Sequence, residues 1–262
     1  MGDQDVVLYR EEETGIARLT LNRPGALNAL NMAVLERLSD LLDQVRGTDS
    51  IKAAILTGSG TTAFSAGADV RFLNQATPLE VREFARLAVQ LNRKIETLGK
   101  IMIAAINGYA IGGGQELAES CMLRIAVEGA KMGHPEVRLG AIGGFGGTTR
   151  LPRLVGKGRA AEMLLRGRLV SASEALQIGL VQSVVAPENL LAEAKSLLCE
   201  ITAHPPVAVR LTWEAIHRGL DMTLEESTLL GADLFGLVAA TEDFRLGTKA
   251  FLEKTTPAYT GK

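Results

Sequence analysis

Three consecutive glycines, Gly112, Gly113 and Gly114, follow an apolar run, and Glu116 stands two residues beyond them. Glycines at a helix start leave backbone N–H groups bare at the positive end of the helix dipole. That is a site for an anion or an oxyanion, with an acid within side-chain reach. A second glycine-led loop, Gly67-Ala68, also follows an apolar run and offers another backbone N–H. Two such donors converging on one point define an oxyanion hole, although each loop taken singly reads more readily as a tight turn. Glu116 alone is a first-turn acid complementing the helix dipole, and Glu136, after His134-Pro135, is a solvated acid in a proline-led turn. Together they can bracket a reacting centre. Asp69 reads as a helix-capping residue, and His134 as a polar loop residue to which no chemistry is assigned.

Other chemistries find less support. Ser59, in Gly-Ser-Gly, and Ser65 lack the strand-to-helix elbow of a nucleophilic serine. Gly156-Lys157-Gly158-Arg159-Ala160-Ala161 fits a loose dinucleotide fingerprint but follows no core strand, and there is no P-loop. The basic group Arg150, Arg153, Lys157, Arg159, Arg166 and Arg168 has no aromatic partners and reads as a solvated helical face, with RNA binding the minor alternative. Cys121 and Cys199 match no metal spacing and read as reduced, buried thiols.

The elements that must position these residues repeat. Val6 to Tyr9 and Ile16 to Leu21 read as a hairpin, and Asn31 caps a helix with Met32, Leu35, Leu38, Leu42 and Val45 on one stripe, ending at Gly47. Ala53 to Thr57 is a short strand leading into the loop at Gly67. A helix over about Leu79 to Leu98 carries Phe84, Leu87, Leu91, Ile95 and Leu98 on one side. Ile101 to Ile106 is a buried strand, the helix after the glycines follows, and Met122 to Val127, Lys131 to Gly133 and Val181 to Val185 are further strands. Helices are expected over Thr148 to Val155 and Arg159 to Leu165, with Ser171 or Ser173 capping another that Gly179 ends. From Pro187 onward only helices are expected, with little sheet to cover, so they pack on their own core or on a partner subunit. The division is therefore 1–187, an α/β core, and 188–262, a helical region.

The totals fit a soluble, cytoplasmic protein. A chain of 262 residues with 47% hydrophobic content can bury a sizeable core, and a formal charge of −2 gathers neither nucleic acid nor an anionic membrane. The first residues are acidic and lack a signal core, and no apolar run reaches membrane-spanning length.

Taken in order, Ala66-Gly67-Ala68-Asp69, the run from Asn107 through Gly112-Gly113-Gly114-Gln115-Glu116 to Ala118, Met132-Gly133-His134-Pro135-Glu136 and Gly146-Gly147-Thr148-Thr149-Arg150-Leu151-Pro152 resemble the crotonase, or enoyl-CoA hydratase/isomerase, superfamily. Asn22-Arg23-Pro24 followed by Ala26-Leu27-Asn28-Ala29-Leu30 fits as well. The resemblance covers about Val7 to Lys254 and implies a spiral of repeated β-β-α units with a C-terminal helical region that builds trimers, often paired as hexamers. It places the thioester carbonyl of an acyl-coenzyme A between the N–H groups of Ala68 and Gly113. Glu116 then activates water and Glu136 transfers a proton at Cα, which makes the chain a hydro-lyase, an enoyl-CoA hydratase, needing no metal and no cofactor beyond the coenzyme A of its substrate. Arg23, Ala26, Leu27, Ala66, Asp69, Val70, Gly112, Gly144, Phe145 and Lys254 are the expected substrate contacts. Alternatives are a dienoyl- or cyclic-acyl-CoA hydratase, a double-bond isomerase, or a non-catalytic RNA- or protein-binding homologue. The sequence departs from the common hydratase pattern at Gly25, Gln115, Met122 and Gly143, the last giving the following loop more backbone freedom.

Overall fold

The computed structural model describes residues 6–262. The chain forms two compact units that divide between Ser196 and Leu197. In the first, β1 (Val7–Glu12) and β2 (Ile16–Leu21) pair antiparallel as the expected hairpin, with Val7 opposite Leu21. α1 (Met32–Gly47) begins where Asn31 accepts the Val34 N–H at 3.1 Å. It buries Val34, Leu35, Leu38, Leu41, Leu42 and Val45, each of which removes apolar surface worth about 1.5–3 kcal/mol. Met32, expected on that stripe, sits in the first turn and is exposed.

After α1 the chain alternates between two sheets. β3 (Ala53–Gly58), β5 (Ile101–Ile106) and β7 (Leu123–Val127) join one sheet, while β4 (Ala63–Ser65), β6 (Tyr109–Ile111) and β8 (Lys131–Gly133) join the other. Later, β9 (Leu169–Ser171) completes the second sheet and β10 (Ser183–Val185) the first. The orders are β1-β2-β3-β5-β7-β10 and β4-β6-β8-β9. Each pass thus lays one strand in each sheet before a helix returns the chain, which is the repeating β-β-α cycle. All six residues of β3 are buried, as a parallel strand covered on both faces requires. The strand expected over Val181 to Val185 starts only at Ser183.

α2 (Val70–Gln75) follows β4, and Asp69 caps it, accepting the Arg71 N–H at 3.2 Å. α3 (Pro78–Glu96) opens with a reciprocal cap between Thr77 and Glu80 and buries Phe84, Ala88, Leu91, Asn92 and Ile95. α4 (Gly113–Ser120) follows β6 and is buried at every position. α5 (Gly147–Val155), α6 (Lys157–Arg166) and α7 (Ala172–Gln177), the last capped by Ser171, complete the layer before α8 (Leu190–Thr202) crosses into the second unit.

The second unit contains α9 (Pro206–Gly219), α10 (Leu224–Ala239) and α11 (Glu242–Glu253). α9 packs against α10, and the Asp243 carboxylate accepts N–H groups of Thr260 at 2.6 Å and Gly261 at 2.9 Å, tying the end of the chain to α11. Cys121 is buried as expected, whereas Cys199 is exposed. Among the described residues no helix is long and apolar enough to cross a membrane.

Candidate active site

The second sheet brings the two glycine-led loops together. Gly67, at φ +90°, ends the turn after β4, and Gly112, at φ +53° and ψ −125°, turns the chain from β6 into α4. A side chain at either position would be strained. A Cβ placed on Gly67 would lie 3.1 Å from the Gly113 nitrogen, and one on Gly113 would lie 3.4 Å from the Ala68 nitrogen, so the two N–H groups are neighbours. The bridge between Leu30 and Ala68 is made by the flanking residues, Leu30 N–H donating to the Gly67 carbonyl and Asp69 N–H to the Leu30 carbonyl. The Gly113 N–H belongs to the first helical turn, which has no acceptor within the helix.

Glu116 is buried in the first turn of α4. Its Oε1 accepts two backbone N–H groups, from Phe145 at 2.8 Å and Gly147 at 2.7 Å. Burial pushes its carboxyl up to about 7. The Gly147 N–H and the charge of His134 pull it down, while Glu136 and Glu119 push it further up. A carboxyl that titrates near neutrality can both give and take a proton. Glu136 opens a short 3-10 turn (Glu136–Leu139), and its Oε1 lies 3.0 Å from where a Cβ on Gly112 would stand. Both carboxylates therefore border the same helix start, where they can exchange protons with one bound molecule.

His134 is not the polar loop residue its sequence context suggests. Its side chain is fully buried between two acids, with Nε2 2.8 Å from Glu119 Oε1 and Nδ1 3.7 Å from Glu136 Oε1. Burial alone would push the imidazole down, but the charge and hydrogen bond of Glu119, with Glu136 adding to them, lift it to about 10. Sequence reasoning missed Glu119 altogether. The available signal was two acids at a three-residue spacing, Glu116 and Glu119, on the short helix that follows the glycines.

The surrounding residues divide into groups. Arg23 bonds the Ala29 carbonyl at 2.6 Å and pairs with Asp69 at 3.1 Å, so its guanidinium fixes the turn that carries Ala26 and Leu27. The Ala66 N–H donates to the Leu27 carbonyl at 2.9 Å, joining this turn to the Gly67 loop. Ala26, Leu27, Val70 and Gly144 are exposed. The buried ring of Phe145 meets Phe84 edge-on at 5.3 Å, and its carbonyl accepts from Asn92 and Arg150, both at 3.0 Å. These bonds, with the two to Glu116, pin the C-terminal half of the loop containing Gly143, in place of the freedom expected there. Lys254 caps α11 in the second unit. In the basic group, Arg150 pairs with Glu96, Arg166 with Glu162, and Arg168 with Glu162 and Glu174, so these arginines do not form an open cationic field.

A carboxylate pair beside two neighbouring N–H groups is an arrangement that can exchange protons and hold an oxyanion. The sequence profile of the family described as Enoyl-CoA hydratase/isomerase matches residues 11–262. Similar proteins include a crotonyl-CoA hydratase of Syntrophomonas wolfei, 43% identical over all of both chains. A short-chain-enoyl-CoA hydratase of Clostridium acetobutylicum is 42% identical over 93% of this chain and 94% of that one. The crystal structure of an enoyl-CoA hydratase from Bacillus anthracis superposes with a TM-score of 0.94 at 38% identity, covering 98% of this chain and 100% of the other. The chain belongs to the enoyl-CoA hydratase/isomerase family and has the crotonase fold.

Proposed function

We propose that the hydro-lyase activity of this chain is the reversible addition of water across the 2,3 double bond of a short 2-enoyl-CoA. The observation that carries the reading is the presence of two acids, Glu116 and Glu136, at the rim of the helix start where the Ala68 and Gly113 N–H groups meet. Those N–H groups hold the thioester oxygen as negative charge develops on it, a type of interaction worth roughly 2.7–4 kcal/mol per donor. Glu116 takes the proton from the attacking water, with its Oε1 held by the Phe145 and Gly147 N–H groups. Glu136 delivers the proton to Cα. The two acids carry one proton between them, and dehydration runs the same steps backwards with the proton on Glu116 at the start. Arg23, Ala26, Leu27, Ala66, Asp69, Val70, Gly112, Gly144 and Phe145 form the substrate's surroundings, Lys254 is a candidate phosphate contact, and coenzyme A enters as part of the substrate. The preference for a short acyl group follows the names of the two relatives above.

The test is incubation with thioesters of 2-enoyl, 3-enoyl and dienoyl acids of increasing length, with products identified by mass. Gain of one water on the short 2-enoyl thioesters is expected. A product of unchanged mass with a shifted double bond would replace the hydratase by an isomerase.

The proposed setting is cytoplasmic, and the proposed assembly is a homotrimer or a pair of trimers. The second unit supports the assembly: Leu224 is 86%, Phe251 84% and Leu252 81% exposed on its helices, a large apolar display for helices of an isolated chain. Sedimentation should give three or six times 27.9 kDa, and a 27.9 kDa species would remove the assembly.

A further inference from the structure

We propose that Glu119 and His134 form a buried pair whose role is to hold Glu136: Glu119 fixes the imidazole through Nε2, and the opposite ring nitrogen faces and anchors Glu136 Oε1. The inference rests on the proposed acid–base role of Glu136 and extends it to two residues that touch no substrate. Both side chains of the pair are completely buried, at 0% exposure. Glu119 Oε1 also accepts from Gln115 Nε2 at 3.1 Å, so the same oxygen is held by Gln115 as well as by the ring.

The tautomer follows from the partners. An ionised carboxylate only accepts, so Nε2 carries a proton toward Glu119. Nδ1 has no hydrogen-bond partner among the described residues and lies 3.7 Å from Glu136 Oε1, a group with no hydrogen-bond partner of its own there. With a proton on Nδ1 as well, the ring presents a positive charge to Glu136 and a neutral pair to the rest of the cluster, because its charge cancels that of Glu119. The other charged groups around the ring are Glu116 on α4, Arg124 at the start of β7 and Arg150 on α5, the two arginines coupling to Glu119. Gly147 makes the packing possible: a Cβ there would come within 2.6 Å of His134 Cε1 and 2.9 Å of Glu116 Cγ.

The pair is a positioning device, and its removal has a signature that lost packing lacks. His134→Gln keeps a donor but removes the positive charge beside Glu136. Removing that charge should change the pH dependence of kcat/KM as well as its height, with the acidic limb moving up. kcat should fall on the order of tenfold to a hundredfold, part of the usual worth of an acid–base group, with KM changed far less. Glu119→Gln should shift the limb in the same direction by less, and the double variant should cost no more than His134→Gln alone. The protein has three histidines, so 13Cε1-labelled histidine resolves His134 by NMR. It should stay doubly protonated through neutral pH in the parent and titrate lower in Glu119→Gln. That measurement needs no substrate, so it tests the pair even if no thioester is hydrated. Titration of His134 near its ordinary value in the parent would overturn the proposal. So would a loss of kcat that is uniform at every pH in both single variants.

Discussion

Glu116→Gln is expected to lower kcat by about 10²–10⁴ while leaving KM within a small factor, a loss of roughly 3–5 kcal/mol of transition-state stabilisation. The amide keeps the volume of the acid and can still accept the Phe145 and Gly147 N–H groups through its oxygen, so the loop stays in place. What it cannot do is take a proton from water. Glu136→Gln should behave alike, and either variant turning over at the parent rate would remove that residue from the mechanism. The same substitution should have a second effect, on stability. Because burial raises Glu116 to about 7 from an ordinary 4.5, the folded chain keeps a proton that the unfolded chain releases between those two pH values. This contribution to stability is complete below the lower value and is lost as pH rises through the upper one, by about 3 kcal/mol. Glutamine has no such loss. Thermal unfolding of Glu116→Gln and the parent should therefore diverge in the variant's favour from about pH 5 to about pH 8, and a pH-independent difference would show that Glu116 is not the buried acid proposed.

Gly113→Ala is the second large effect, and it reaches donors that truncating a side chain cannot. The added Cβ would stand 2.6 Å from Cε2 and 2.7 Å from Cδ2 of Phe145 and 3.4 Å from the Ala68 nitrogen. The ring must move, or the cleft between the two N–H groups is filled. In the proposed mechanism that costs at least one oxyanion contact, and kcat/KM should fall by about 10²–10³. Alanine is otherwise favoured over glycine within a helix by up to about 1 kcal/mol, so the fold has an offsetting gain. Steady-state kinetics on the short 2-enoyl thioesters, paired with thermal unfolding, separates the two effects. Full activity in Gly113→Ala would mean that the thioester oxygen binds elsewhere.

Much of this site is legible in the order of its residues, and the reasons differ from one residue to the next. Asn31 and Asp69 can be read as caps because a side-chain oxygen ahead of a helix has a local partner. Strand Ile101–Ile106 is legible to the residue because a buried parallel strand is a continuous apolar run. Strands β4, β6 and β9, of three residues each, are not, since their pairing is entirely long-range, whereas the equally short β8 is marked off by the proline-led turn that follows it. Helix α2, six residues with none buried, gives no stripe to detect. The pairing of Gly113 with Ala68, and of Glu116 with Glu136, is legible only through the order of the motifs. His134 and Glu119 lie fifteen residues apart in sequence and meet through the approach of β8 to α4, which no local pattern encodes. An ionisable residue in a loop looks solvated until its neighbours are known.

The complete burial of α4 divides the labour of future change. Every one of its eight positions is in the interior, so any substitution there alters core packing as well as chemistry. The residues around its start that face outward, such as Leu27 at 43%, Val70 at 55% and Ile142 at 74% exposure, carry no such burden. New acyl specificities should therefore arise on this rim by single substitutions at small cost, whereas a new reaction would require compensated changes beneath it. In the proposed mechanism, the catalytic floor is thus conservative by packing, and the substrate range is left free to drift.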